Sequence, residues 1–247
     1  MSRLTWDRTP DRIYETGTDR GVLYLQNSDG SYGSGTAWNG LTAVTENPSG
    51  GEPTALWADN IKYLNLLSTE EFGCTIEAYS YPRPFRACLG KRVPIEGLTI
   101  GQQERQGFAF CYRTLIGNAD YGNDYSYKIH VIYGCKASPS SVNYTTVNDS
   151  PEAVTLSWEV TTTPIKVKGM KPTSEIVFDG SVFKKRGVMN ALHAIEDVLY
   201  GTDEAEARLP SLEEITEIYT YQRYMLDSDE EQLLDSLGRP LVGSVYD

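Results

Sequence analysis

At 247 residues the chain is long enough to bury a full core without disulfide or metal staples. Its 23% charged and 40% hydrophobic content excludes an intrinsically disordered polymer. A net charge of −12 and the absence of any run of about 20 apolar residues argue against a nucleic-acid gripper and against a membrane helix. The opening MSRLTWDRTP has no apolar run of the signal-peptide kind, so a chain made and kept, at least at first, in a cytosol is expected.

Residues 1–20 are polar and turn-rich and read as an N-terminal arm. Gly21 to Gln26 reads as a short strand. Asn27 to Gly40, with Ser-Asp-Gly, Ser-Tyr-Gly-Ser-Gly and Asn-Gly, reads as a hairpin tip or a long flexible loop. Leu41 to Glu46 is its candidate return strand, and NPSGGEP (Asn47 to Pro53) is a turn. Lys62 to Leu67 and Gly73 to Tyr79 are further strands. In the second, Cys74, Ile76 and Ala78 alternate with Thr75, Glu77 and Tyr79. Tyr81-Pro-Arg-Pro84 ends that strand, because proline cannot donate to a ladder. Gly107 to Ile116 puts Phe108, Phe110 and Tyr112 on one face. Ser126 to Lys136 alternates Tyr127, Ile129, Val131, Tyr133 and Cys135. With NADYGND (Asn118 to Asp124) between them, these two predict an antiparallel hairpin, and the strand at 153–163 is expected to pair with one of them.

That strand alternates Val154, Leu156, Trp158 and Val160 with Thr155, Ser157, Glu159 and Thr161. Glu175 to Phe178 is a short strand after a Lys-Pro turn. The period then becomes helical: Val188, Ala191, Leu192, Ile195, Val198 and Leu199 share a face over 188–200, and Gly201 supplies the stop. Beyond Pro210, Ser211-Leu-Glu-Glu214 fits a capping box. Asp227 to Leu237 is a second candidate helix. Residues 211–247 therefore form an acidic helical C-terminal extension. Residues 203–236 carry eleven Asp and Glu against two Arg, a net of −9, leaving −3 for the remainder.

Chemistry-bearing motifs are scarce. His130 and His193 belong to no paired ligand motif and read as surface or satisfied histidines. There is no Gly-x-Ser-x-Gly elbow, and Gly33-Ser-Gly-Thr36 lacks the lysine and helix of a phosphate loop. Cys74, Cys88, Cys111 and Cys135 have no Cys-x-x-Cys spacing and read as buried reduced thiols. No catalytic residue, cofactor site or metal-ligand set is expected. Lys184-Lys185-Arg186 stands just before the helix, either as a solvated turn or as a contact with an acidic neighbour such as another subunit's 203–236 segment.

Three stretches, in order, resemble the major tail proteins of long non-contractile-tailed bacteriophages: TWDRTPDRIYETGTDRGVLYL (Thr5 to Leu25), KYLNLLSTEEFGCTIEAYSYPRPFRACLG (Lys62 to Gly90) and AVTLSWEV…LYGTDEAEARLP (Ala153 to Pro210). The resemblance implies a mainly β fold with one flanking helix, a β-sandwich or barrel over 21–210, with short helices after it. It implies a virion protein, assembled in the host cytoplasm, whose hexameric rings stack into a tail tube that delivers DNA. Its partners would be other copies of itself, the tape measure protein and the terminator and distal tail proteins, with no enzyme activity and no membrane. DNA must pass without sticking, and basic lumen residues would hold phosphates. Thr75, Glu77, Thr155, Ser157 and Glu159, on faces turned from the core, are the candidate lumen positions. The competing readings are a head-tail joining or decoration protein, and a carbohydrate-binding β-sandwich using aromatics such as Trp38 and Trp57.

Overall fold

The segments Gly21–Leu25, Phe108–Tyr112 and Ile129–Tyr133 are apolar or aromatic at nearly every position, the pattern of strands covered on both faces. The computed structural model, which describes residues 6, 8, 9, 12–144, 146, 153–167, 169–185 and 189–222, places them side by side at the centre of a large antiparallel sheet. In chain order the elements are β1 (Ile13–Gln26), β2 (Tyr32–Trp38), β3 (Leu41–Glu46), β4 (Ser49–Gly50), β5 (Pro53–Ala58), β6 (Ile61–Leu67), β7 (Glu70–Glu71) and β8 (Gly73–Ala78). There follow α1 (Phe85–Cys88), β9 (Arg92–Ile95), β10 (Leu98–Ile100), β11 (Phe108–Asn118), β12 (Gly122–Ala137), β13 (Leu156–Thr162), β14 (Glu175–Asp179), α2 (Gly180–Lys185), α3 (Met189–Tyr200) and α4 (Leu212–Gln222). The main sheet runs β2-β1-β11-β12-β13-β8-β3, and β14 joins it through residues 128–132 of β12.

The switch of β12 from one partner to another is made at Gly134. Up to Ile132 its free edge pairs with β14, and from Cys135 it pairs with β13. Gly134 has φ +62°, and a Cβ there would lie 2.2 Å from the Thr163 carbonyl oxygen, so only glycine fits. Two residues of β12, Tyr133 and Gly134, oppose one of β11, Ala109, at this point, a bulge between the Phe110–Ile132 and Phe108–Cys135 pairs. The bulge reverses side-chain phase. Ile129, Val131 and Tyr133 face one way, whereas Cys135 faces the other with Ile132, which corrects the unbroken alternation expected from the sequence.

Two apolar clusters occupy the two faces of β1, β11 and β12. On one face Leu23, Phe108, Phe110 and Ile132 meet Ile76, Trp158 and Val160 of β8 and β13, with Trp38 and Phe85 between them. The Trp38 ring packs on Phe85, Phe110 and Trp158 at 4.5 to 5.6 Å between centroids. On the other face Tyr24, Cys111, Ile129 and Val131 are covered by Leu192, Ile195 and Leu199 of α3 and Ile215 of α4. Each large side chain so buried contributes about 1.5–3 kcal/mol. The end of α3 is closed from three directions. Gly201 N–H donates to the Asp197 carbonyl, Arg208 N–H to Val198, and the buried Tyr24 hydroxyl to Leu199 at 2.5 Å. Glu214 N–H donates to Ser211 Oγ as the capping box requires, while the Glu214 carboxylate turns to Arg208.

Several expectations are corrected. Residues 13–20 are strand rather than arm, paired to β11 from Ile13–Asn118 to Asp19–Arg113. Their polarity reflects exposure, and Arg113 grips Asp19 through two hydrogen bonds of 2.8 and 2.6 Å. Residues 32–38 are likewise strand and not part of a loop over 27–40. The glycines of β2 serve packing: a Cβ on Gly35 would meet Ala207, Tyr24 and Val22 at 2.9 to 3.0 Å. Strand β3 does not return against β2 but pairs with β8 at the far end of the sheet. The β11–β12 hairpin stands as expected, the strand expected at 153–163 is present over Leu156–Thr162, and the helix expected over 188–200 is present from Met189 to Tyr200. The second helix expected at 227–237 lies outside the described residues.

Candidate functional site

The polar face of the outer strands comes from simple alternation. On β8 and β13, Cys74, Ile76, Ala78, Trp158 and Val160 are buried, so the intervening residues point outward. The register sets Glu77 opposite Ser157 and Thr75 opposite Glu159, with Thr45 of β3 beside Thr75. Four of the five sequence-selected residues thus share one patch. Asn47 Nδ2 donates to Thr75 Oγ1 at 3.0 Å within it. Thr155 is exposed but precedes β13 and has no ladder partner there.

A second surface was only partly visible in the sequence. β5 and β6 form a two-stranded hairpin that, among the described residues, pairs with no other sheet. Its turn, Asp59-Asn60, has both residues at positive φ (51° and 64°), the geometry of a tight hairpin turn. All seven residues of β6 are exposed. Trp57 is 69% exposed, Tyr63 67% and Leu67 74%, with Ile61 and Leu66 beside them. β4 and β7 pair at the base, Ser49 opposite Glu71. The β9–β10 hairpin repeats the pattern on a smaller scale, exposing Val93, Ile95, Leu98 and Ile100. Isolated hairpins are marginal in water, and contiguous exposed apolar side chains mark interaction surfaces.

The basic cluster stands just before α3, as expected, and Lys184 and Lys185 also end the short helix α2, where a cation favours the helix dipole. Asp179 caps the other end, accepting from Ser181 N–H at 2.9 Å. Lys184 Nζ donates to the Tyr125 carbonyl at 3.3 Å and sits 5.1 Å from the Tyr125 ring centroid, within its own chain. The Lys185 side chain and Arg186 lie outside the described residues.

His130 is 8% exposed, not a surface residue. It stacks on Tyr112 with centroids 4.6 Å apart and planes at 9°. Its Nε2 lies 3.1 Å from Thr114 Oγ1. Its Nδ1 has no hydrogen-bond partner and faces Glu46 Oε1 at 3.4 Å and Glu175 Oε1 at 3.6 Å. The Tyr112 hydroxyl donates to the same Glu46 oxygen at 2.7 Å, and burial with this acceptor raises its pKa. The three residues come from β3, β12 and β14, so no sequence spacing announces them.

All four cysteines are free and buried, and burial pushes the Cys74, Cys88 and Cys111 thiols up to about 12. Thiols held protonated are poor nucleophiles. A groove of about 910 Å³ beside α4, lined by Tyr32, Tyr133, Met170, Leu209 and Leu212 among others, has no His or Cys in its wall. Trp38 is 2% exposed and its Nε1 donates to the Ser80 carbonyl, which removes it as a sugar platform. No helix among the described residues is long and apolar enough to cross a membrane.

No protein-family model matches the chain, and no curated protein matches it. Among solved structures, one similar chain belongs to the six-fold symmetrised cryo-EM structure of the anti-feeding prophage baseplate. The match spans 73% of this chain and 99% of that one, at 8% identity and a TM-score of 0.34. Similarity of that degree carries no argument about function.

Proposed function

We propose that the chain is a non-enzymatic, self-assembling virion protein whose copies form hexameric rings stacked into a phage tail tube. The observation that carries this reading is the β5–β6 hairpin, which holds Trp57, Ile61, Tyr63 and Leu67 in water with no sheet to pair against. A projecting strand pair of this kind gains stability by adding to a neighbour's sheet edge or packing on its surface. When one surface reaches a different surface on the next copy, the association propagates head to tail and builds a filament. The order of resembling segments along the sequence points the same way.

In this reading the polar patch of Thr75, Glu77, Ser157 and Glu159, with Thr155 at its margin and Lys136 beyond Thr161 at its edge, lines the channel, where the two carboxylates repel phosphates and let DNA pass. Lys184, Lys185 and Arg186 meet the acidic 203–236 segment of a neighbour. The tape measure protein occupies the lumen before DNA does, and terminator and distal tail proteins close the ends. Negative-stain electron microscopy and sedimentation of the purified chain over a wide concentration range test the proposal. Six-fold rings or tubes support it. A strict monomer at the highest concentration, with no rings on the grid, overturns it.

A further inference from the structure

The geometry points to a divalent-cation site formed by Glu46, His130 and Glu175, of the zinc class, in which one imidazole nitrogen and two carboxylates hold the ion and water completes its shell. The inference is independent of whether copies assemble.

Three observations converge. First, the contacts of His130 Nδ1 are too long for good hydrogen bonds: 3.4 Å to Glu46 Oε1 and 3.6 Å to Glu175 Oε1. They match the edge of a tetrahedron whose metal–ligand bonds are about 2.0–2.1 Å, which is roughly 3.4 Å. The three ligand atoms all lie within 4.8 Å of one another. Second, Nδ1 belongs to a side chain nine-tenths buried and has no hydrogen-bond partner. A buried polar atom without a partner is costly in the absence of a ligand. Third, the surroundings orient the donors. With the Nε2 proton given to Thr114 Oγ1 at 3.1 Å, the Nδ1 lone pair points at the two carboxylates. Tyr112 stacks on the ring and donates its hydroxyl proton to Glu46 Oε1, leaving that oxygen's other lone pair for the ion.

Mixed nitrogen and carboxylate donors suit zinc and its first-row neighbours better than magnesium or calcium, which prefer all-oxygen shells. The Glu46 side chain is 38% exposed and that of Glu175 23%, so the site opens to solvent for entry and for a bound water. Its position suggests the consequence. Glu46 is the last residue of β3, immediately before the 47–72 excursion that carries the exposed hairpin, and Glu175 is the first of β14. An ion here ties the far end of the sheet to its centre and anchors the root of that hairpin.

The test uses the full chain, stripped with EDTA and dialysed, then titrated with Zn²⁺ by calorimetry and with Co²⁺ by visible absorption. The expected result is about one saturable equivalent per chain, with a Co²⁺ spectrum of low coordination number and nitrogen–oxygen ligation. H130Q and E175Q should each weaken Zn²⁺ binding by at least about tenfold, and Thr114→Val by about tenfold, with circular dichroism unchanged. Glu70→Gln with Glu71→Gln, an acidic pair in β7, should leave binding unchanged. If H130Q does not fold, E46Q and E175Q carry the comparison. Absence of a saturable equivalent in the wild type, or equal binding in wild type and the folded ligand variants, overturns the site.

Discussion

Gly134 and Gly122 share a φ of +62° but have opposite surroundings, and that pair isolates what the β12 bulge contributes. At Gly122, in the β11–β12 turn, an added Cβ meets nothing within 4 Å. Gly122→Ala should therefore cost only the left-handed backbone term, about 1–2 kcal/mol. At Gly134 the same methyl group would stand 2.2 Å from the Thr163 carbonyl oxygen and 3.1 Å from the Thr163 nitrogen. Thr163 must then move by about 1 Å to restore ordinary contact. That movement breaks its N–H bond to the Gly134 carbonyl, now 3.0 Å, and leaves the half-buried carbonyl without its donor at about 1–3 kcal/mol. Gly134→Ala should cost about 2–5 kcal/mol in all. The assay is urea unfolding of dilute protein, followed by fluorescence of the buried Trp38 and Trp158. With a slope of about 3 kcal/mol/M for a chain of this size, the midpoint should fall by about 0.7–1.7 M for Gly134→Ala and by about 0.5 M for Gly122→Ala. Equal shifts would refute the argument, because the close approach would then contribute nothing.

Trp57→Ser with Leu67→Ser removes side chains that are mostly in water in the single chain. Folding stability should change by less than about 0.5 kcal/mol, while the concentration needed for assembly rises at least about a hundredfold, since burying each contributes about 1.5–3 kcal/mol; sedimentation reads both states. The four thiols should resist an aromatic disulfide reagent at neutral pH until the chain unfolds. Because burial raises Cys74, Cys88 and Cys111 from 9.0 to about 12, the folded state keeps protons that the unfolded chain has released. Stability should be fully present below pH 9 and decline as pH rises toward about 12, which thermal melts across that range would check. In assembled tubes, Glu77→Lys with Glu159→Lys should slow DNA passage in a salt-dependent way, each new phosphate contact adding about 0.9 to the log–log salt slope. Passage at the wild-type rate across a salt series would remove these residues from the channel wall.

Local periodicity carried much of this architecture, and the exceptions share a physical cause. Alternation in 74–78 and 156–162 placed core and polar faces correctly, because those strands are covered on one side only. It misled in 126–136, where the Gly134 bulge reverses phase and where both faces are buried, so that alternation alone left His130 as either a surface or a satisfied histidine. Glycine content misled at 32–38, since the same residue serves a flexible tip and a crowded ladder, and only the approach of Ala207 and Tyr24 distinguishes them. Strand β5 escaped notice because its partner β6 leaves it no buried face to impose alternation. The Glu46–His130–Glu175 cluster was illegible for a different reason. Its members meet only after β3 has crossed to the far end of the sheet, and non-local pairing of that kind leaves no spacing in the chain.

The layer order also gives a position to the two groups of charge that the sequence counts apart. Helix α4 covers the second apolar cluster, on the helix side of β1, β11 and β12. Thr75, Glu77, Ser157 and Glu159 lie beyond the first cluster, on the outward side of β8 and β13. The acidic residues of 203–222 therefore stand on the opposite side of the molecule from the polar patch, with Glu213 and Glu214 in the first turn of α4, where carboxylates favour the helix dipole. The net charge of −12 is then no evidence about a channel wall. If the polar patch lines a channel, the helices and the six carboxylates of 203–222 face outward. The wall's own character rests on two carboxylates set among hydroxyls, with Lys136 at its edge opposite Thr161, few enough that reversing both carboxylates changes its sign without touching the helical layer.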